Sequence, residues 1–232
     1  MKTTTISAVA VFAALTSAHS WLGCTDHDNV EILKWMKGNS TLTPPVTIDP
    51  LMPWFSNFCK GWPRAKQNPG DWIAESSNYV WNIAANSFNG ETGACHPNQR
   101  GPNYEGNAPM ATARPGGQIR LMFGGNGHSR GSNMPKGDAG NVNVYWKGEP
   151  EAEITDISEF TEENKLQSDG FSAESFAYPA GVVSPTEGLQ DKGNWQTLNI
   201  PQTIIPGRHM FVWVWSYGGA PQWSTCFDVM VQ

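Results

Sequence analysis

His19 offers the most chemistry in this chain, because of what precedes it. Lys2, an apolar run over residues 6–15 and the small residues Thr16-Ser17-Ala18 have the form of a secretory signal ending at a cleavage site. A cut after Ala18 leaves His19-Ser20-Trp21 as the new N-terminus. A terminal histidine can chelate a metal through its α-amine and its own Nδ1. One further imidazole completes three nitrogen ligands, a set that suits Cu(II). The amine has an ordinary pKa near about 8, so binding must displace a proton partly present at neutral pH.

The other histidines are His27, His96, His128 and His209. His209 lies in Arg-His-Met-Phe-Val, the pattern of a strand, and is expected to pack there. His27 sits between Asp26 and Asp28 and is expected to cap a turn or face solvent. His96 follows Cys95 and is an outside candidate. His128 stands out. It occupies Phe123-Gly124-Gly125-Asn126-Gly127-His128-Ser129-Arg130-Gly131, a Gly-rich loop directly after an apparent strand. Loops held by a rigid sheet are where binding groups concentrate.

The elements that must position these residues read as β-structure. Residues 118–123 and 141–146 alternate polar and apolar, and 195–200 follows them. Residues 208–217 and 225–231 make two apolar strands joined through Gly218-Gly219-Ala220-Pro221. Before about residue 114 the chain is rich in Trp, Asn, Gly and Pro. There a short helix is expected over 31–37 and a longer one over 72–85, neither with a clean apolar stripe. The acidic segment 149–167 is expected to hold a surface helix. The architecture expected is all-β, an antiparallel β-sandwich with long loops and short helices.

Removing 18 residues from 232 leaves 214, within the range of one all-β domain, so residues 19–232 are expected to form a single domain. Lys2 leaves with the signal, so 14 basic side chains face 21 acidic ones, a net charge of −7. Such a chain has no general attraction for nucleic acid or anionic membranes. Beyond the signal no apolar run approaches the roughly 20 residues needed to cross a bilayer. No lipid-anchor signal follows the last strand, and an exported, extracellular monomer is expected. Cys24, Cys59, Cys95 and Cys226 form no CxxC pair, so two disulfides are expected, with three pairings open. Asn39-Ser40-Thr41 is an N-glycosylation acceptor.

Taken together, three segments resemble lytic polysaccharide monooxygenases. They are His19-Ser20-Trp21, then Pro115-Gly116-Gly117-Gln118-Ile119-Arg120-Leu121-Met122-Phe123 leading to His128, and Trp223-Ser224-Thr225-Cys226-Phe227-Asp228-Val229. The resemblance assigns no subfamily. It implies an immunoglobulin-like sandwich and one copper ion in a histidine brace, with His19 giving its amine and Nδ1 and His128 giving Nε2. It also implies oxidative cleavage of glycosidic bonds, fed by an external electron donor, since no motif resembles a flavin or haem site. The family often joins a Cys upstream of the second His to the Cys of the last strand, which implies Cys95–Cys226. Cys24–Cys59 is expected beside it, tying the new N-terminus to a loop.

The axial position, usually Tyr or Phe in the family, falls on Trp223, which has no phenol oxygen. Phe227 is the alternative if a bulge shifts the register. Gln222 is nearest to the family's proton-handling Gln or Glu, although a regular strand points it away from Trp223. Eleven tryptophans exceed what one core needs; Trp21, and behind it Trp54 and Trp62, are expected to form a sugar-stacking platform. Trp213, Trp215, Tyr145 and Trp146 read as structural.

A glycosidase-type carboxylate pair is not supported, because Glu151, Glu153, Glu162 and Glu163 cluster on the acidic segment. Two other classes stay open. One is a copper-binding protein with the same brace but no turnover, serving uptake or delivery. The other is a metal-free wall-binding domain. Soluble oxidised sugars separate the enzyme from the carrier, and the mass of the mature N-terminus tests every copper reading.

Overall fold

The period-two pattern of residues 118–123 forms a strand whose odd residues, Ile119, Leu121 and Phe123, turn into the main core. The computed structural model describes residues 19–39, 41, 53–67, 75–125, 128, 140–176 and 193–232. The signal segment, residues 1–18, lies outside them. In chain order the strands are β1 (Leu22–Cys24), β2 (Asp26–His27), β3 (Cys59–Gly61), β4 (Trp81–Asn82), β5 (Ala111–Ala113) and β6 (Gln118–Phe123). There follow β7 (Asn141–Tyr145), β8 (Lys165–Gly170), β9 (Glu174–Ser175), β10 (Asn194–Asn199), β11 (Gly207–Tyr217) and β12 (Ala220–Val231). The helices are α1 (Asn29–Gly38) and α2 (Ile83–Phe88).

Two sheets form an antiparallel sandwich of the immunoglobulin-like kind. One has the order β1-β6-β10-β9. The other runs β4-β12-β11-β7-β8, with β5 pairing parallel to β12. Between the sheets lie Leu121, Phe123 and Leu198 from one side and Phe211, Trp213, Trp215, Trp223 and Phe227 from the other. The outer face of the first sheet is covered by α1 and the Pro53–Phe58 turn, through Ile32, Phe55, Met122 and Trp195. The outer face of the second sheet carries Met210, Val212, Val214 and Cys226 under Trp81, Ile83 and Cys95. Burial on both faces explains why β11 and β12 read as nearly continuous apolar runs. Trp213 and Trp215 are accordingly core residues.

β11 and β12 turn through Gly218 and Gly219, at φ 66° and 87°, the two positive-φ positions that a tight hairpin of this hand requires. Ala220 and Pro221, expected in the turn, instead begin β12. Disulfides join Cys24 to Cys59 and Cys95 to Cys226.

Three local expectations are corrected. Residues 75–85 contain a 3-10 turn (Glu75–Asn78), strand β4 and the start of α2 rather than one helix, and residues 72–74 lie outside the described part. Asn82 ends that strand and caps α2, its Oδ1 accepting from the Ala85 N–H at 2.9 Å. The acidic segment 149–167 holds only a 3-10 turn (Ile157–Glu159) and the start of β8. Its carboxylates are drawn into ion pairs from Glu151 to Arg208, Glu153 to Arg64 and Glu159 to Lys147, which an exposed helix would not present together. His27 is buried rather than solvated. Its Nδ1 donates to the Arg120 carbonyl at 3.0 Å, and burial pushes its pKa down to about 3. The capping falls to Asp28, which accepts from the Val30 and Glu31 N–H groups at the start of α1.

Candidate functional site

The chain from His19 to Leu22 is stitched to both sheets. Ser20 Oγ donates to the Gly124 carbonyl (2.9 Å), just past β6, and the Leu22 N–H donates to Thr225 Oγ1 (3.3 Å) on β12. Leu22 also pairs with Phe123 in the β1–β6 ladder. These ties set the His19 ring against Trp223, with ring centroids 4.2 Å apart.

His128 is pinned by its backbone. Its N–H donates to the Gly125 carbonyl (2.8 Å), and its own carbonyl accepts from Ser172 Oγ (3.2 Å). Its ring stands 5.7 Å from Trp215 and 5.7 Å from Tyr217. Of the surrounding Gly-rich loop, Asn126, Gly127 and Ser129–Gly131 lie outside the described residues.

Trp215 and Trp223 are directly opposed in the β11–β12 ladder and therefore share a face. Thus the two histidines lie against neighbouring indoles of one cross-strand pair. Phe171 stacks on Trp215 at 4.5 Å and closes the wall behind them. Phe227, the alternative axial residue, instead stacks on Phe211 (5.5 Å) in the core, while Trp223 keeps the contact with His19. The bulge falls on the other side of Trp223. Trp215 pairs with Trp223 and Ser216 with Pro221, so Gln222 is the residue passed over. Strict alternation is broken at Gln222, and the orientation a regular strand gives does not apply to it.

The donor set fits a copper ion. His128 Nδ1 is buried and has no hydrogen-bond partner among the described residues; His27 Nε2 and His209 Nδ1 share that state, but each of those rings is held through its other nitrogen by a backbone carbonyl. That nitrogen is Nδ1, whereas the resemblance implies Nε2. Among the described residues no three His, Cys, Asp or Glu side chains are placed to hold a metal ion, so a brace here would need the His19 amine, which cleavage would free, as its third nitrogen.

The remaining candidates fall elsewhere. His96 caps the Pro97–Gln99 turn, its Nδ1 accepting from the Asn98 N–H (3.2 Å), and it lies by the Tyr79 and Trp81 rings. Burial and the nearby Arg100 hold its pKa below the ordinary value. His209 is buried, with Nε2 donating to the Ile205 carbonyl (2.7 Å). Trp21 and Trp62 each expose 7% of their surface, too little to present an indole face to a sugar, so the platform expected on them is corrected. Trp54 is half-buried and stacks on Trp35 (4.7 Å, 18°) beside Phe58. Asn39 ends α1, and its Nδ2, the atom that would carry a glycan, donates to the Trp35 carbonyl (2.8 Å).

Sequence reasoning missed two features. Tyr217, 44% exposed, is the aromatic beside His128; its place at the open end of β11, next to the hairpin turn, was the available signal. The other is a buried ionic network. Arg64 reaches Asp228 through Nε and Nη2 (2.7 and 2.6 Å) and Glu153 through Nη1 and Nη2 (2.8 Å each). Arg208 also donates to Asp228 and Glu153, and Tyr104 Oη donates to Asp228 Oδ2 at 2.8 Å. An aspartate inside the apolar run Thr-Cys-Phe-Asp-Val-Met-Val was the sign that a buried partner must exist.

No family model and no curated protein matches the sequence. Among solved structures, a cellulose-active polysaccharide monooxygenase from M. thermophila is similar at 17% identity and a TM-score of 0.32, over 54% of each chain. The present chain thus spans about half the length of that neighbour. A lytic polysaccharide monooxygenase from Streptomyces lividans is similar at 13% identity and a TM-score of 0.35, over 75% of this chain and 94% of that one. A chitin-binding domain from Burkholderia pseudomallei is similar at 10% identity and a TM-score of 0.36, over 92% and 99%. Likeness at this level carries no argument about chemistry; the sandwich rests on its own sheets and the site on its own side chains.

Proposed function

We propose that the mature chain begins at His19 and is a secreted, monomeric, single-domain copper protein that oxidatively cleaves a wall polysaccharide, in the manner of a lytic polysaccharide monooxygenase. The observation that carries this reading is the placement of His19 and His128 against the opposed indoles Trp223 and Trp215, beside exposed Tyr217. His19, through its amine and Nδ1, and His128 would hold the copper. Bound there, copper supplies one-electron chemistry toward an oxygen co-substrate, with reducing equivalents from an external donor. The protein's share is positioning. Ser20 and Leu22 fix the N-terminal segment to both sheets, which holds the His19 backbone where its ring meets Trp223. Trp223 excludes water from one side of that ring. Gln222, at the bulge, is the candidate for handling protons.

Tyr217 replaces the tryptophan platform as the stacking surface beside the histidines. Tyr217→Ala is expected to weaken binding to insoluble polysaccharide by up to about tenfold and to leave Cu(II) affinity unchanged, as read by pull-down and copper titration.

A second reading has its own support. Trp223 lies 4.2 Å from His19 and offers no phenol oxygen, which favours a brace that binds copper without turnover. One experiment separates the readings. Protein with an authentic His19 terminus is titrated with Cu(II), its paramagnetic resonance spectrum is followed, and it is then supplied with a reductant on cellulose, xylan, chitin and pectin. A tight one-to-one, nitrogen-rich signal with soluble oxidised sugars is the expected result. The same signal with no oxidised product assigns copper binding alone. Weak, heterogeneous copper binding sinks both and leaves a metal-free wall-binding domain.

A further inference from the structure

A second site is built on the opposite face of β12 from His19. Cys95 is bonded to Cys226 and Tyr104 to Asp228, on the face of β12 that turns outward, whereas Trp223 and Phe227 face the other sheet. Here the 95–105 loop, the 64–67 segment and the turn at Tyr79 enclose an open cleft of about 680 Å³.

Two of the three described non-glycine residues with positive φ line this one cleft: Ala65 at 61° and Tyr79 at 50°. Such a backbone is strained and persists only where its surroundings enforce it, as at active sites, ligand clamps and switch regions. The surroundings here do so. The Ala65 N–H donates to the Asn103 carbonyl (2.8 Å), joining two walls. Buried Lys66 donates to buried Asn78 (2.8 Å), joining the third. Arg64 and Gln99 exchange hydrogen bonds through their side chains and carbonyls (3.3 and 3.1 Å) beneath the floor. The Tyr79 ring rests on His96, centroids 5.0 Å apart. A cleft ordered before binding loses little entropy when it is filled.

Its lining selects the chemistry. Among the described lining residues Glu105 is the sole Asp, Glu, Lys, Arg or His, a lining that does not favour anions or nucleic acid. Gln67, Asn98 and Asn103 present side-chain amides that bond to no described residue. Each amide offers a donor and an acceptor side by side, as a pair of neighbouring hydroxyls does. Tyr79 adds an aromatic ring, and the open shape leaves both ends of a chain free. We propose that this cleft binds a neutral oligosaccharide, as a site separate from the histidine pair and independent of whether that pair holds copper.

The test is a titration of the copper-free, full-length mature protein with cello-, chito-, xylo- and mannohexaose, following amide resonances by NMR. Saturable shifts of the Gln67, Asn98 and Asn103 side-chain amides with at least one sugar are expected. Tyr79→Ala and the exposed-surface variant Asn98→Ala are each expected to weaken that binding by about tenfold, with the thermal transition of Asn98→Ala unchanged. The proposal is overturned if none of the four sugars moves these amides, if the shifts centre on Ser20 and Tyr217 instead, or if Asn98→Ala binds as tightly as the parent.

Discussion

His128→Ala, made in protein that begins at His19, will bind Cu(II) on the order of a hundredfold more weakly than the parent or worse. Changes one shell away from a metal already cost about 10–100-fold, and this one removes a direct ligand, leaving the His19 chelate alone. Folding will not obscure the result. The ring's buried Nδ1 has no hydrogen-bond partner to lose, and the backbone bonds to Gly125 and Ser172 do not depend on the side chain. Only the ring contacts with Trp215 and Tyr217 are lost, so the thermal transition of the metal-free variant should fall slightly while the variant stays folded. Full copper affinity in this variant would falsify the assignment of the second ligand. His96 could not then take over in this fold, since its ring lies by Tyr79 and Trp81 on the outward face of the second sheet, away from the Trp223 contact of His19.

Arg64→Ala will destabilise the fold by about 3–5 kcal/mol. Asp228 is fully buried, and its two oxygens accept from Arg64 twice, from Arg208 and from Tyr104. Removing Arg64 leaves that carboxylate with half of its donors and no water to replace them. For a chain of this length the loss corresponds to a fall in Tm of about 6–20 °C. Glu151→Gln, at the exposed end of the same network, should cost under about 1 kcal/mol. Equal effects from the two variants would mean that the network contributes through surface charge rather than through burial.

Acid will act on the same structure in a defined order. His27 is neutral in the fold, with its pKa lowered from 6.5 to about 3, so the unfolded chain binds the extra proton between those values. Its contribution is fully present above 6.5 and is lost as the pH falls toward 3. Glu153 adds a second loss. Burial alone would raise its carboxyl, but hydrogen bonds from Arg64 and Arg208 outweigh that and hold it below the ordinary 4.5. Its contribution is present above 4.5 and disappears as the pH falls further. Denaturant titrations across pH should show a plateau above about 6.5 and a decline below it. Stability that stays flat from pH 7 to 4 would contradict the burial of a neutral His27.

Much of the frame was legible because it is local. Alternation at 118–123 marked β6 to the residue, and the paired apolar runs around Gly218-Gly219 marked the β11–β12 hairpin. Helix 31–37 appeared as α1, extended to Asn29 at its start because Asp28 caps it there and to Gly38 at its end before the Asn39 cap. The expectations at 72–85 and 149–167 failed for a non-local reason. Neither segment has an apolar stripe, and their polar residues are used by distant parts of the chain: Trp81 Nε1 donates to the Gly93 carbonyl, and Glu153 pairs with Arg64. Tryptophan exposure was equally illegible. Trp21 and Trp62 look like surface residues among polar and small neighbours, yet each is buried in the fold.

By itself the sequence determined what depends on near neighbours: which stretches pleat, where the hairpin turns, and that a cut after Ala18 would expose a histidine able to chelate. Only the tertiary structure decided which side chains meet across it. It set His19 and His128 on opposed indoles, put Tyr217 at the rim, and brought Arg64 to Asp228 across a separation of 164 residues. The physical reason is that strand alternation follows from the pleat of one segment. A partner across the fold depends instead on how two sheets and their loops pack, where many segments compete for the same burial.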